Sequence, residues 1–192
     1  MNNAPTICAV ILAGGRGSRL GGVDKGLLRF EGEPLAARLV SQLATQSDEI
    51  LISANRNQHH YRAWAKVVAD HDPTHQGPLA GMQAALQATT AQWICTLPCD
   101  SPTIPRDYVQ RMLTAATRAR LVLAHDGESL QPVHALIHRS LASSLDRYLA
   151  EGGAKVRAWA KATGFETADF AADASLFRNA NTPEDAHSMR LK

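Results

Sequence analysis

The sequence predicts an α/β fold in which a mostly parallel central sheet is covered by helices on both faces. Strand-like and helix-like segments alternate along the chain, as they do where parallel strands are joined by helical crossovers. Residues 6–12 form a continuous apolar, β-branched run that is typical of a strand buried on both faces. The length of 192 residues suits one domain spanning 1–192.

The predicted elements follow one another without a low-complexity segment or an obvious linker. Pro34 at a first helical position, followed by a stripe of Leu35, Leu39 and Leu43, predicts a helix over 34–46. The other predicted helices cover 58–65, 78–89, 105–118, 140–150, 155–161 and 183–189. The predicted strands cover 6–12, 49–53, 66–69, 92–97, 121–124, 133–137 and 163–169. The pair Gly152-Gly153 stops a helix or separates a small C-terminal subregion.

A glycine-rich segment follows the first strand and carries the clearest chemical signal. Gly14 and Gly15 open it, and Arg16, Arg19 and Lys25 supply cations. Glycines let main-chain N–H groups turn toward an anion, which the cations then neutralise. A polyphosphate site is therefore predicted. The alternative is a flexible surface turn, but a plain turn does not explain why three cationic residues cluster in one short loop.

Two common phosphate-binding motifs fail at specific positions of this loop. A P-loop requires glycine directly before the lysine, whereas Gly26 follows Lys25. A dinucleotide-binding loop requires a closing glycine where Leu20 stands, and an acidic residue after the second strand, where residues 54–56 are Ala-Asn-Arg. The loop therefore belongs to another class of phosphate site.

Asp100 is the strongest single candidate for a metal ligand. Ligands of open parallel sheets bind outside the carboxyl ends of the strands, and Asp100 follows a predicted buried strand there. Magnesium prefers a few carboxylate oxygens together with waters and substrate phosphates. We therefore expect Mg²⁺ on Asp100, the alternative being a turn-capping role. Asp70 is a weaker candidate for a nucleotide contact, because it also fits a plain turn.

Other chemistries are disfavoured. Cys8, Cys95 and Cys99 are sparse and odd in number, which favours reduced buried thiols over a redox pair or half a metal site. Pro73 prevents the histidines at 71 and 75 from sharing a helical face as zinc ligands. His134 either reaches a substrate or is a satisfied structural histidine. No Gly-x-Ser-x-Gly elbow is present, which disfavours covalent catalysis.

Bulk properties restrict the partners. A formal net charge of +2 argues against a general nucleic-acid binder. No apolar run approaches membrane-spanning length, and the polar N-terminus lacks a secretory pattern. We therefore expect a soluble, cytoplasmic protein with neither a nucleic-acid nor a membrane partner.

The last predicted helix begins beside two asparagines. Thr182 as N-cap, Pro183 at the first helical position and Asp185 three residues after the cap explain that start. Asn179 and Asn181 are left without an assigned structural role, so either could reach the ligand crevice.

Taken together, these motifs resemble the molybdenum cofactor guanylyltransferases, the MobA family of nucleotidyltransferases. The resemblance covers nearly the whole chain, in order, through residues 12–15, 19, 21–28, 54–56, 77–81, 98–102 and 179–184. It implies a three-layer, Rossmann-like nucleotidyltransferase domain that uses GTP and Mg²⁺. The implied reaction transfers GMP to the terminal phosphate of molybdopterin, with or without bound molybdenum, and releases pyrophosphate.

The resemblance also implies roles by matching position. The implied nucleotide-binding residues are Leu12, Ala13, Gly14, Gly15, Lys25, Asn55, Asp70, Asp100, Asn179 and Asn181. The implied catalytic residues are Asp100, Lys25 and Arg19, with Asp100 binding the metal. The family often carries asparagine where this chain has Ser53, which shifts the expected contact to Asn55. Lys155, Arg157 and His134 match a pterin-binding segment less clearly.

Three alternatives stay open at this point. A related enzyme would use CTP on the same pterin, another would activate a sugar or polyol phosphate, and a binding module would hold GTP without catalysis. Gly14-Gly15 favours guanine by resemblance, since relatives that use CTP tend to have Ala-Gly there. A monomer that hands its product to a chaperone or cofactor-biosynthesis protein is expected.

Overall fold

The computed structural model describes residues 4–15, 22–71 and 77–177. Its strands are β1 (Ile7–Leu12), β2 (Arg29–Phe30), β3 (Glu33–Pro34), β4 (Glu49–Ser53), β5 (Lys66–Val68), β6 (Trp93–Pro98), β7 (Leu121–His125), β8 (Leu130–His138) and β9 (Glu166–Asp169). Seven of them form one sheet in the order β5-β4-β1-β6-β8-β7-β9, and β2 pairs with β3 in a separate ladder.

The α-helices are α1 (Leu35–Leu43), α2 (Gln58–Tyr61), α3 (Pro78–Ala88), α4 (Tyr108–Ala115), α5 (Ala142–Ala150) and α6 (Val156–Thr163). Short 3₁₀ helices cover Lys25–Leu27, Arg139–Leu141 and Ala171–Phe177. The helix predicted over 183–189 lies outside the described residues. Within the described ranges, no helix has the length and apolar character needed to cross a bilayer.

The sheet is mostly parallel, as predicted, with one reversed strand. The pairs β5–β4, β4–β1, β1–β6 and β7–β9 are parallel, whereas β8 runs antiparallel to both β6 and β7. The sheet is thus mostly parallel, and β8 is its one antiparallel strand among the described residues. The connection from β7 to β8 has only residues 126–129, which suffices for a hairpin but not for the crossover that a parallel pair needs.

Helices cover both faces of the sheet, which confirms the predicted three layers. Along β1, side chains alternate between two apolar clusters, with Ile7 and Ile11 in one and Cys8 and Val10 in the other. Side chains of α1, α2 and α4 complete the first cluster. Those of α3, α5 and α6 complete the second. Since α6 shares that cluster with α3 and α5, the segment after Gly152 packs into the same core.

Helix α3 approaches the ends of β1 and β4 very closely at Gly81. A Cβ at this position would lie 2.5 Å from Ser53 Oγ and 2.9 Å from Leu12 Cδ2. These two residues end β4 and β1, so the first turn of α3 sits directly over the carboxyl edge of the sheet. The missing side chain at Gly81 thus allows a helix N-terminus to reach the edge where ligands bind.

We expect Gly81→Ala to destabilise the fold. Alanine is better than glycine inside a helix by about 1 kcal/mol. The close contacts of the new Cβ with Ser53 and Leu12 outweigh this gain, because overpacking costs about 1–3 kcal/mol. The net effect on the free energy of unfolding is therefore a loss. Urea denaturation measures the free energy of unfolding. The double variant Ser53→Gly/Gly81→Ala should recover part of the loss, and a Gly81→Ala chain as stable as the original would contradict this account of the packing.

Candidate active site

The loops after β1, β4 and β6 meet at one edge of the sheet. Their main chains are joined beyond the strand ends, where Ala13 N–H donates to Ser53 O at 2.8 Å and Cys99 N–H donates to Leu12 O at 3.2 Å. Because the sheet uses the Ala13 amide, main-chain donors for an anion can begin only at Gly14. Leu12 and Ala13 therefore form the base of the predicted phosphate loop.

An ion pair spans this edge between Lys25 and Asp100. Lys25 Nζ donates to Asp100 Oδ2 at 2.7 Å, although the two residues are 75 positions apart in the sequence. The side chains are 21% and 9% exposed, so most of the pair is shielded from water. A cation and a carboxylate predicted from separate motifs thus stand side by side at the edge formed by the ends of β1 and β6.

Lys25 is fixed in place through its two neighbours in the chain. The buried carboxylate of Asp24 accepts hydrogen bonds from the Tyr61 hydroxyl and from Asn57 Nδ2, the latter at 2.9 Å. A Cβ on Gly26 would lie 2.5 Å from the Tyr61 hydroxyl oxygen. Burial, together with the bond to Asp24, raises the pKa of Tyr61, so this hydroxyl stays a donor. We call Asp24, Asn57 and Tyr61 the Asp24 lock.

Arg56 joins the two ends of the glycine-rich loop. Its guanidinium donates to Gly15 O at 3.0 Å and to Gly22 O at 3.2 Å. Residues 16–21 lie outside the described part of the chain, so the bridge connects the residues on either side of them. A second cation besides Lys25 is thereby held at the predicted phosphate loop.

Asn55 and Asp70 form a second pair beside the same loop. Asn55 Nδ2 donates to Asp70 Oδ2 at 2.7 Å, and the Asp70 N–H donates to Asn55 Oδ1 at 3.0 Å. A Cβ on Gly14 would lie 3.6 Å from Asn55 Nδ2, so the amide stands next to the glycines. Ser53, by contrast, is buried against Gly81. The geometry therefore favours Asn55 over Ser53 for a nucleotide contact.

One oxygen of Asp100 suits a hard cation. Asp100 Oδ1 is buried and has no hydrogen-bond partner among the described residues. Such a carboxylate oxygen is costly to bury, and Mg²⁺ takes ligands of this kind along with substrate phosphates and water. Within 4–15, 22–71 and 77–177, no group of three or more His, Cys, Asp or Glu residues could hold a metal. If Asp100 holds a metal, other ligands have to come from outside such a cluster of described residues.

His134 and the three cysteines are buried. His134 is 2% exposed, its Nδ1 lies 3.2 Å from the Tyr108 hydroxyl, and its ring contacts Phe177. Burial lowers the pKa of His134 to about 3, so the ring is neutral. Its Nε2 has no hydrogen-bond partner among the described residues, so the ring is buried but not fully satisfied, and a substrate contact of His134 stays a prediction. The three cysteines are free and buried, as predicted, and burial raises the pKa of Cys95 to about 12.

Comparison with known proteins identifies the family. The family profile described as "MobA-like NTP transferase domain" matches residues 9–167. A molybdenum cofactor guanylyltransferase of Shewanella frigidimarina is 42% identical over 189 residues, covering 97% of this chain and 96% of the relative. The Vibrio cholerae protein of that name is 41% identical over 177 residues, covering 92% and 87%. The chain belongs to the molybdenum cofactor guanylyltransferases.

A solved structure confirms the fold of this family for the chain. The molybdopterin-guanine dinucleotide biosynthesis protein A of Archaeoglobus fulgidus superimposes with a TM-score of 0.78 at 18% identity. The superposition covers 95% of this chain and 96% of the archaeal one. The three-layer nucleotidyltransferase architecture predicted from the sequence is therefore correct.

Some candidate residues of the guanylyltransferase site lie outside the described residues. They are Arg19, Asn179 and Asn181, and their contacts stay predictions. No pattern in the sequence points to Tyr61 and Asn57, which reach Asp24 across 37 and 33 positions. The one available signal is Asp24 itself, because an acidic residue in a loop that binds anions needs a partner of its own.

We expect Tyr61→Phe to lower the free energy of unfolding by about 1.5–3 kcal/mol, the range for a hydrogen bond to a charged group. The variant leaves one oxygen of the buried Asp24 carboxylate without its donor. Tyr148→Phe is the matched control, because its hydroxyl donates to Lys155 O at 3.3 Å in an exposed setting. Urea denaturation of both variants gives the comparison, and equal losses would contradict the Asp24 lock.

Proposed function

We propose that this guanylyltransferase transfers GMP from GTP to the terminal phosphate of molybdopterin and releases pyrophosphate. The Lys25–Asp100 pair beside the glycine-rich loop carries the proposal, since it sets one cation and one carboxylate where a triphosphate would bind. The molybdenum cofactor guanylyltransferases that this chain resembles at about 40% identity support the choice of substrates.

The chemistry requires no nucleophile from the protein. A phosphate oxygen of the pterin attacks the α-phosphorus of GTP, and the bond from that phosphorus to the bridging oxygen of pyrophosphate breaks. Catalysis of this kind rests on positioning and on neutralising charge. When GTP binds, the Lys25 ammonium would leave the Asp100 carboxylate and pair with a phosphate oxygen of the nucleotide instead. Arg56, already at the loop, would add positive charge beside the triphosphate.

Asp100 is the residue that would hold Mg²⁺, through the carboxylate whose Oδ1 has no partner among the described residues. The bound ion would supply neutralisation of phosphate charge. The chain contributes the shielding of this carboxylate from water and its fixed place beside Lys25.

Asp70 would select guanine. Guanine presents two adjacent N–H donors on one edge, which a single carboxylate can accept together, whereas cytosine and adenine do not. Asn55 Nδ2 donates to the Asp70 carboxylate at 2.7 Å, and Asn55 Oδ1 accepts from the Asp70 main-chain N–H at 3.0 Å, so Asn55 fixes both the side chain and the backbone of Asp70. This arrangement favours GTP over the alternative of CTP on the same pterin.

The protein would act as a monomer in the cytoplasm. It would transfer its product to a chaperone or to another cofactor-biosynthesis protein. The resemblance to the family supports these statements.

We expect Asp100→Asn to lower turnover by about 10²- to 10³-fold, the usual effect of removing one electrostatic contact to the transition state. The assay is pyrophosphate release from GTP with molybdopterin and Mg²⁺. Asp146→Asn is the control, because Asp146 accepts from Gln83 on the helical layer that packs α3 against α5. Near-normal turnover of Asp100→Asn in a folded chain would exclude Asp100 from the reaction.

We expect the original chain to release more pyrophosphate with GTP than with CTP, ATP or UTP. Asp70→Asn should reduce this preference by about tenfold or more, because a hydrogen bond to a charged group is worth about 1.5–3 kcal/mol. The ratio of kcat/KM for GTP and CTP measures it. An unchanged ratio in Asp70→Asn would show that Asp70 does not select the base. If the original chain released no pyrophosphate with any nucleotide, the alternative of a non-catalytic binding module would be favoured.

A further inference from the structure

Helix α1 presents two different stripes to the rest of the molecule. Its apolar stripe, Leu35, Leu39 and Leu43, is fully buried, and Leu39 and Leu43 pack in the first apolar cluster of the sheet. A polar stripe at the same spacing contains Arg38, Gln42 and, in the turn that follows, Gln46. Residues four positions apart share a helix face, so the second stripe lies along one side of α1.

The polar stripe bonds to the main chain of the loop that carries Asp100, residues 99–107 between β6 and α4, and to the first turn of α4. Three bonds run from the stripe to carbonyl oxygens: Arg38 Nε to Pro102 O at 3.0 Å, Gln42 Nε2 to Pro102 O at 3.3 Å and Gln46 Nε2 to Pro105 O at 3.2 Å. Two run from main-chain N–H groups to the stripe: Ile104 N to Gln42 Oε1 at 2.9 Å and Val109 N to Gln46 Oε1 at 3.1 Å. The loop lacks regular secondary structure, and two of its residues are prolines without an N–H.

The other end of α1 is tied to the segment that carries Lys25. The Leu35 N–H donates to Leu28 O at 2.9 Å, and the Leu28 N–H donates to Lys25 O at 3.1 Å. Arg38 also stacks over the Phe30 ring, with its guanidinium carbon 4.9 Å from the ring centroid. Helix α1 therefore contacts the main chain on both sides of the Lys25–Asp100 pair.

We propose that Gln42, supported by Arg38, is a positioning residue that sets Asp100 relative to Lys25. Gln42 uses its amide donor and its amide acceptor on two residues of one loop, which fixes both the place and the orientation of that main chain. Pro102 is two positions from Asp100, so a shift of the loop moves the carboxylate. The inference rests on the proposed function, because it assumes that Asp100 acts on the nucleotide and its metal.

The test compares Gln42→Leu with the original chain. Leucine keeps the bulk of the side chain and loses both hydrogen bonds. We expect kcat to fall by about 10- to 100-fold, as for a small misplacement remote from the reacting atoms. Binding of Mn²⁺ in the presence of GTP, measured by electron paramagnetic resonance, should weaken in parallel. Gln110→Leu is the control, since the Gln110 amide donates to Thr114 Oγ1 on its own helix and not to the loop that carries Asp100.

Two further measurements distinguish positioning from a general loss of structure. In the Asp100→Asn background, Gln42→Leu should have little additional effect on kcat, because its target group is already gone. If Gln42→Leu fails to fold, Gln42→Glu keeps the acceptor for Ile104 N–H and loses the donor to Pro102 O, and it should show a smaller loss in the same direction.

Unchanged kcat and Mn²⁺ binding in Gln42→Leu, or an equal loss with and without the Asp100 carboxylate, would overturn the inference. Failure of the proposed function would show instead in the original chain, as an absence of pyrophosphate release and of Mn²⁺ binding with GTP.

Discussion

The ion pair between Lys25 and Asp100 is the interaction on which the rest of the site depends. It joins a loop that follows β1 to a loop that follows β6, at a place where both side chains are largely removed from water. Removing two charges from water costs free energy that their attraction recovers only in good geometry. The fold supplies that geometry through the Asp24 lock on one side and the polar stripe of α1 on the other.

Two supports of the site share one physical pattern, in which a side chain fixes a stretch of main chain that has no regular structure. Arg56 bridges the carbonyls of Gly15 and Gly22, and Gln42 bridges Pro102 and Ile104. Loops at the carboxyl edge must stay open to admit a nucleotide, so they cannot be held by strand pairing. Bonds from neighbouring helices and loops hold them without filling the crevice.

The sequence predicted the layers of the fold because apolar periodicity is a local property. It did not predict that β8 is reversed, since the alternation of elements alone does not specify the direction of a strand. Nor did it indicate β2 and β3, whose two residues each are too few to show a period. Asp100 and Lys25 could be predicted because each belongs to a loop that follows a buried strand. Gln42 could not, because a glutamine on a helix surface resembles any solvated residue.

A crystal structure of the chain with GTP and Mn²⁺, with the metal located by anomalous scattering, tests the central claim most directly. The account predicts manganese bound to the Asp100 carboxylate and Lys25 turned from Asp100 to the triphosphate. Manganese bound elsewhere, with the Lys25–Asp100 pair intact and the nucleotide on another face, would contradict it.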